Sequence, residues 1–274
     1  MNKISDFFKT IASNLKTTIV RFPIVLILLS FISVIVSILI ENIMPSKEQL
    51  LIRMIFASII GVLLSTAAQF LLERFEQLSK YKLLFRISSI ILAILYFFLL
   101  TTDDNHSQAM FVRLFVCSFA IFAIYLFIPS SKGAANFGKV ALVHFKSAFT
   151  SILYGVVLYL GLLAIYFAID LLLFNIDNKV IGHIANIVFI FFTPMYYLSL
   201  LPSFNSEADS DKKRTDEASV YPRVLDILVT YIVIPLITVF SAVLSIYFIK
   251  ILITGIWPVG QVGPMVLGYS ATGL

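Results

Sequence analysis

Seven times along the chain, a long apolar stretch is followed by a short polar one. A hydrocarbon core of about 30 Å is crossed by roughly 20 helical residues, so each stretch predicts a transmembrane helix. The spans predicted are 22–43, with Pro23 in its first turn, 50–72, 83–100, 109–128 closed by Pro129, 151–174, 180–201 closed by Pro202, and 224–253 with Pro235 inside it. The last is too long for one upright crossing, about 45 Å at 1.5 Å per residue, so it must tilt, kink at Pro235 or protrude. An eighth apolar run opens near Val262 and stops at Leu274, which reads as the start of a further span in a longer protein. The runs are apolar on every face and lack the alternation of barrel strands. The predicted fold is therefore all-α, a polytopic transmembrane helix bundle of seven spans plus the start of an eighth.

The polar segments set the organisation. Residues 1–21 place Ile4, Phe7, Phe8, Ile11, Leu15 and Ile19 at helical spacing with lysines largely off that face, which predicts an amphipathic helix on the membrane surface. Residues 22–202 form a six-span bundle. Residues 203–219 are nearly free of apolar side chains and predict a flexible loop, because such a stretch cannot bury enough surface to order itself. Residues 220–274 carry the seventh span, an external Gly/Pro loop around Trp257-Pro258, and the truncated eighth. A second basic stretch, 132–147, reads either as another interfacial helix or as a solvated loop.

Composition excludes the soluble alternatives. Hydrophobic residues make up 60% and charged residues 13%, against roughly 45–50% and about 25% in soluble domains. The mean hydropathy is +1.00. The formal charge of +5 is explained by where the 20 basic residues fall. Under strict alternation fifteen lie on the side of the N-terminus, in groups such as Lys3, Lys9, Lys16 and Arg21, or Arg74, Lys80, Lys82 and Arg86. Lys47, Arg53, Arg113, Lys179 and Lys250 lie on the other. The positive-inside rule then places the N-terminus in the cytoplasm. The basic excess is expected to face anionic phospholipid at the cytoplasmic loops, so the lipid bilayer is the expected partner and nucleic acid is not. A protein partner is not specified by these residues.

Charge within hydrocarbon costs about 2.5–3.5 kcal/mol by insertion scales, so each intramembrane ionisable group needs a partner or a purpose. Glu41, Arg53, Arg113, Asp170 and Lys250 fall at one expected depth near the outer boundary, with Tyr166 and Tyr247 beside them in the sequence. They read either as structural ion pairs, Asp170 with Lys250 or an arginine, or as an outward-facing polar pocket. The small and polar faces Ser30/Ser33/Ser37 and Ser58/Gly61/Ser65/Ala68/Gln69 are expected to be helix-packing surfaces. Cys117 sits in an apolar run as a packing residue. His106, His144 and His183 are scattered without paired cysteines, HExxH or a carboxylate cluster, and no Walker loop, GxGxxG or GxSxG occurs. No catalytic, cofactor-binding or metal-binding residues are therefore assigned, and the residues point away from an enzyme.

Several short motifs are more specific than apolar runs. They are Arg21-Phe22-Pro23, Phe167-Ala168-Ile169-Asp170-Leu171-Leu172, Pro194-Met195-Tyr196-Tyr197 to Leu201-Pro202, Tyr221-Pro222, Lys250-Ile251-Leu252 and Trp257-Pro258. Together they resemble the bacterial multi-pass membrane family of uncharacterised proteins known as domain of unknown function 4153. The resemblance implies a protein of the bacterial cytoplasmic (inner) membrane, with further spans after Leu274, and it implies no activity. Two functions rank ahead of a third, an integral enzyme acting on lipid-linked substrates with an external carboxylate, for which the chain offers no paired-carboxylate motif. One is transport or permeation of a small polar or lipidic solute through the outward-facing pocket. The other is a non-catalytic membrane scaffold or sensor that binds a partner through its cytoplasmic loops.

Overall fold

A computed structural model describes residues 18–101, 107–133, 137–202 and 232–254. Among them, seven helices are long and apolar enough to cross a membrane. They are α1 (Pro23–Ile40), α2 (Glu48–Arg74), α3 (Lys82–Thr101), α4 (Ser107–Phe127), α5 (Phe137–Leu172), α6 (Lys179–Leu200) and α7 (Ile234–Thr254). The fold is all-α, and the protein is a multi-pass membrane helix bundle. Most of residues 1–21, the 203–219 loop, the Trp257-Pro258 segment and the eighth run lie outside the described residues.

The outer faces establish the solvent. Leu95, Phe98, Phe115 and Phe119 on α3 and α4 are 53%, 59%, 72% and 65% exposed. Apolar exposure on this scale is untenable in water and natural against acyl chains.

The chain forms two compact units. Of the described residues, the first takes those up to Ser151 and 190–202, and the second takes 152–189 and α7. In the first unit one core joins Phe22, Val25 and Leu29 with Phe70, Tyr125, Val143, Met195 and Leu198. A second core, of Phe56, Ile60, Tyr96 and Leu100, takes in Cys117, which thus packs as its surroundings suggest. The small face of α2 is also a packing surface. A Cβ on Gly61 would stand 3.1 Å from both the Ala93 Cβ and the Leu28 side chain. Ser65 and Ser89 share a hydrogen bond of 3.1 Å between α2 and α3. On α1 the buried face is apolar, Val25, Leu29, Ile32 and Ile35, and Ser30 is exposed. The serine stripe of that helix is therefore not the side packed on the protein at Ser30.

In the second unit Ala168 and Leu172 of α5 pack against Val243, Leu244, Tyr247 and Ile251 of α7. The side chain of Leu236 occupies the space above Gly161.

Three features depart from the predicted elements. The basic stretch 132–147 is neither an interfacial helix nor a loop from Phe137 onward, but the first turns of the 36-residue α5. Its Val140, Val143, His144 and Ser147 recur at helical spacing and are buried, and Lys139 points outward. At about 1.5 Å per residue α5 exceeds the hydrocarbon thickness. Helix α6 is π-wound over Asn186–Phe192, directly ahead of Pro194. Proline lacks an amide hydrogen and its ring crowds the carbonyl four residues back, so the preceding turn widens. Residues 232–233 are π-wound in the same way ahead of Pro235 and run directly into α7, and the earlier part of the predicted span 224–253 lies outside the described residues. Helix α1 ends in a Schellman turn. Asn42 has φ 52°, and the Ile43 and Asn42 amides donate to the carbonyls of Ile38 and Leu39 at 3.2 and 3.0 Å.

Candidate functional site

Polar side chains concentrate in two places, one in each unit. In the first unit the Phe22 end of α1 and the Arg74 end of α2 come together with the ends of α4 and α6. Phe22 precedes a proline, which disfavours helical backbone there. Its dihedrals of −122° and 54° break the helical turn 18–21 from α1 and set Arg21 at the break.

The Arg21 guanidinium donates from Nε and Nη2 to the two carboxylate oxygens of Glu73, both at 2.7 Å. It also donates to the carbonyls of Leu201 at 2.8 Å and Pro202 at 2.9 Å. Gln69, one turn earlier on α2, donates to Glu73 Oε1 at 3.0 Å. The rings of Phe22 and Phe70 lie 4.8 and 5.7 Å from the guanidinium carbon. A planar fork with five donors suits this geometry, where a lysine would not.

Behind Phe70 lies a buried phenol–imidazole cluster. Tyr125 stacks on Phe70 at 5.6 Å. Its hydroxyl is bonded to that of Tyr197, and both hydroxyls reach His144 Nδ1, at 3.2 and 2.9 Å. The cluster ties α4, α5 and α6 together. No carboxylate takes part in these bonds. Among the described residues no three His, Cys, Asp or Glu side chains converge as metal ligands.

In the second unit the α5–α6 turn collects four polar groups. Asp170 Oδ1 accepts the Ile176 amide at 2.7 Å. The Tyr166 hydroxyl reaches the Ile176 carbonyl at 3.2 Å and Asn178 Oδ1 at 3.1 Å. The Lys250 ammonium of α7 donates to the carbonyls of Leu172 at 3.1 Å and Leu173 at 2.6 Å.

Of the seven residues singled out from the sequence, Tyr166, Asp170 and Lys250 thus converge on one turn, and Tyr247 lies buried one helical turn before Lys250. Asp170 and Lys250 bind the turn's backbone instead of each other, which replaces the expected ion pair. The helix end is the reason, because its last carbonyls have no intrahelical donor. Glu41, Arg53 and Arg113 belong to the first unit. Glu41 is the exposed C-cap of α1, Arg53 is half-buried in α2, and Arg113 is exposed on α4.

The cluster of Arg21, Glu73, Tyr125, His144 and Tyr197 was not assigned a site role from the sequence. Its one signal there was that Arg21-Phe22-Pro23 and Tyr197 to Leu201-Pro202 stood among the family-like motifs. Basic residues at three helix ends prove to share a task. Arg21 serves the end of α6, Lys250 the end of α5, and the buried Arg74 donates to the Ser131 carbonyl after α4 at 3.2 and 2.9 Å. Two arginines counted toward the inner basic excess, Arg21 and Arg74, therefore turn into the protein.

Two cavities line the seam between α1, α2 and α3, all within the first unit. One is a narrow cleft bordered by Arg21, Pro23, Ser65, Gln69, Arg86 and Ser89. The other, of about 270 Å³, is bordered by Leu28, Phe31, Ala57, Ser58, Ala93 and Phe97 among others. The Ser58 hydroxyl in it donates back to the Met54 carbonyl at 2.8 Å. His144 borders neither.

No curated protein and no solved structure matches the chain. The model of the family described as Domain of unknown function (DUF4153) matches residues 23–274, nearly all of the helical bundle, and the chain belongs to that family.

Proposed function

We propose that the protein is a non-catalytic scaffold or sensor of the bacterial cytoplasmic membrane, with its N-terminus and basic connections in the cytoplasm, where a partner binds. The observation that carries this reading is the Arg21 fork. Four acceptors from two helix ends converge on one guanidinium, which supports a fixed platform over a moving gate at this end of the first unit. The basic asymmetry of the chain supports the orientation. Anionic lipid at the remaining exposed basic residues fits the same picture.

A second reading has one observation in its favour. Tyr166, Asp170 and Lys250 gather on the α5–α6 turn beside Tyr247, and by alternation that turn is external. An outward-facing pocket there would serve transport or permeation of a small polar or lipidic solute. The backbone already occupies Asp170 and Lys250, which weakens it.

Complementation of a deletion strain separates the two. On the scaffold reading, Asp170→Asn and Lys250→Gln restore the wild-type phenotype and Glu73→Leu does not, with membrane levels of each variant checked by immunoblot. Loss of complementation by Asp170→Asn at normal abundance favours the pocket and overturns the scaffold.

A further inference from the structure

The two cavities of the α1–α2–α3 seam lie in line. On α1 their borders include Ile24, Leu28 and Phe31, at steps of one helical turn. On α2 they run along the small face through Ser58, Ser65, Ala68 and Gln69. On α3 they run from Arg86 and Ser89 to Ala93 and Phe97. The close approach of Gly61 to Leu28 and Ala93 separates them. The seam is therefore cationic at the α1 N-terminal end and apolar beyond it.

Arg21 is committed to Glu73 and the Leu201 and Pro202 carbonyls. Arg86 is not: it is half-buried, and among the described residues its guanidinium has no hydrogen-bond or ion-pair partner. A cation at this level of a membrane needs an anion or water. Two helical turns along α3, about 10 Å away, Ala93 borders the apolar cavity. That cavity opens onto the exposed side chains of Phe31, Ile90 and Ile94. An apolar recess beside hydrocarbon fills with acyl chain, because empty space forfeits the dispersion contacts of its lining. The cleft itself is too narrow for a headgroup, so an anion would sit at its mouth.

We infer that the α1–α2–α3 seam binds an anionic glycerophospholipid, its phosphate against Arg86 and one acyl chain in the apolar cavity between Leu28, Ala57 and Phe97. Charge complementarity selects the anionic class and the position of the cavity selects a two-part amphiphile. The inference does not depend on the scaffold reading.

The full chain carries one tryptophan, Trp257. In a Trp257→Phe background, Phe97→Trp places the sole indole in the wall of the cavity. The protein is reconstituted in phosphatidylcholine vesicles with equal mole fractions of dibrominated phosphatidylglycerol or dibrominated phosphatidylcholine. Quenching is expected to show a preference for the anionic lipid of about fivefold, the worth of one guanidinium near an anionic surface. Arg86→Gln should bring the ratio to about one, and Arg86→Lys, which keeps the charge, should retain it. A ratio of one with native Arg86, or a preference that survives Arg86→Gln, overturns the inference. So does protection from both lipids, which assigns the cavity to another segment of the protein. Relief of quenching by millimolar inorganic phosphate assigns the cleft to a free anion and also overturns it.

Discussion

Arg21 and Glu73 are 16% and 11% exposed at their side chains, so each is held largely out of solvent by the other and by the groups around them. Such a pair adds little or no stability against a well-packed apolar replacement of both partners, but removal of one partner strands a charge. Glu73→Leu is expected to lower the unfolding free energy by about 3–5 kcal/mol, measured by denaturant titration in mixed detergent micelles. Arg21→Lys should cost about 1–3 kcal/mol, since an ammonium cannot serve both carboxylate oxygens and two carbonyls at once. A loss well under 1 kcal/mol for Glu73→Leu would mean that water already solvates the pair. The hydroxyls of Tyr125 and Tyr197 follow the same logic one layer in. They are enclosed with His144, and their bonds to its Nδ1 replace the water that the membrane denies them.

The helices are made by hydrocarbon length, but their ends are made by single residues. At the end of α1, Asn42 adopts a left-handed conformation that most side chains resist by about 1–2 kcal/mol. Asn42→Gly should therefore be neutral to within a few tenths of a kcal/mol. Asn42→Val should destabilise by about 1–2 kcal/mol, and the comparison of their melting curves checks the turn. Elsewhere the ends borrow donors from other helices, as α5 does from Lys250 and α6 from Arg21. In a bilayer a helix terminus that stays near hydrocarbon cannot rely on water for its last carbonyls. Proline acts within the elements. The π-winding ahead of Pro194 keeps α6 continuous through a residue that would break a regular helix.

For the whole molecule, the bilayer is the partner that organises everything else. The apolar exteriors of α3 and α4 exist because lipid covers them. The proposed orientation has a direct check. In a Cys117→Ala background, Ser46→Cys, in the turn before α2, should react with a membrane-impermeant maleimide on intact spheroplasts. Gln77→Cys, in the turn after α2, should react only after the membrane is opened. Both positions are exposed, and the reverse pattern would refute the assignment.

Among the described residues, seven spans and most of their approximate limits were legible along the chain, because a helix must carry its own backbone hydrogen bonds across hydrocarbon and its side chains must be apolar over that length. The packing role of Gly61 and Ser65 was legible for a related reason, since small side chains permit close approach. The continuation of α5 back to Phe137 was not legible. Lys139 and Lys146 mark a boundary in composition, and only the partners of Val143 and His144 show that the helix runs on. The partners of Arg21, Arg74, Asp170 and Lys250 were not legible either. A charged residue at the edge of a span announces only that it needs solvation. Whether lipid headgroups, an opposite charge or a neighbouring helix's carbonyls supply it depends on which helix ends meet, and Arg21 and Leu201, 180 positions apart, meet only in the folded bundle.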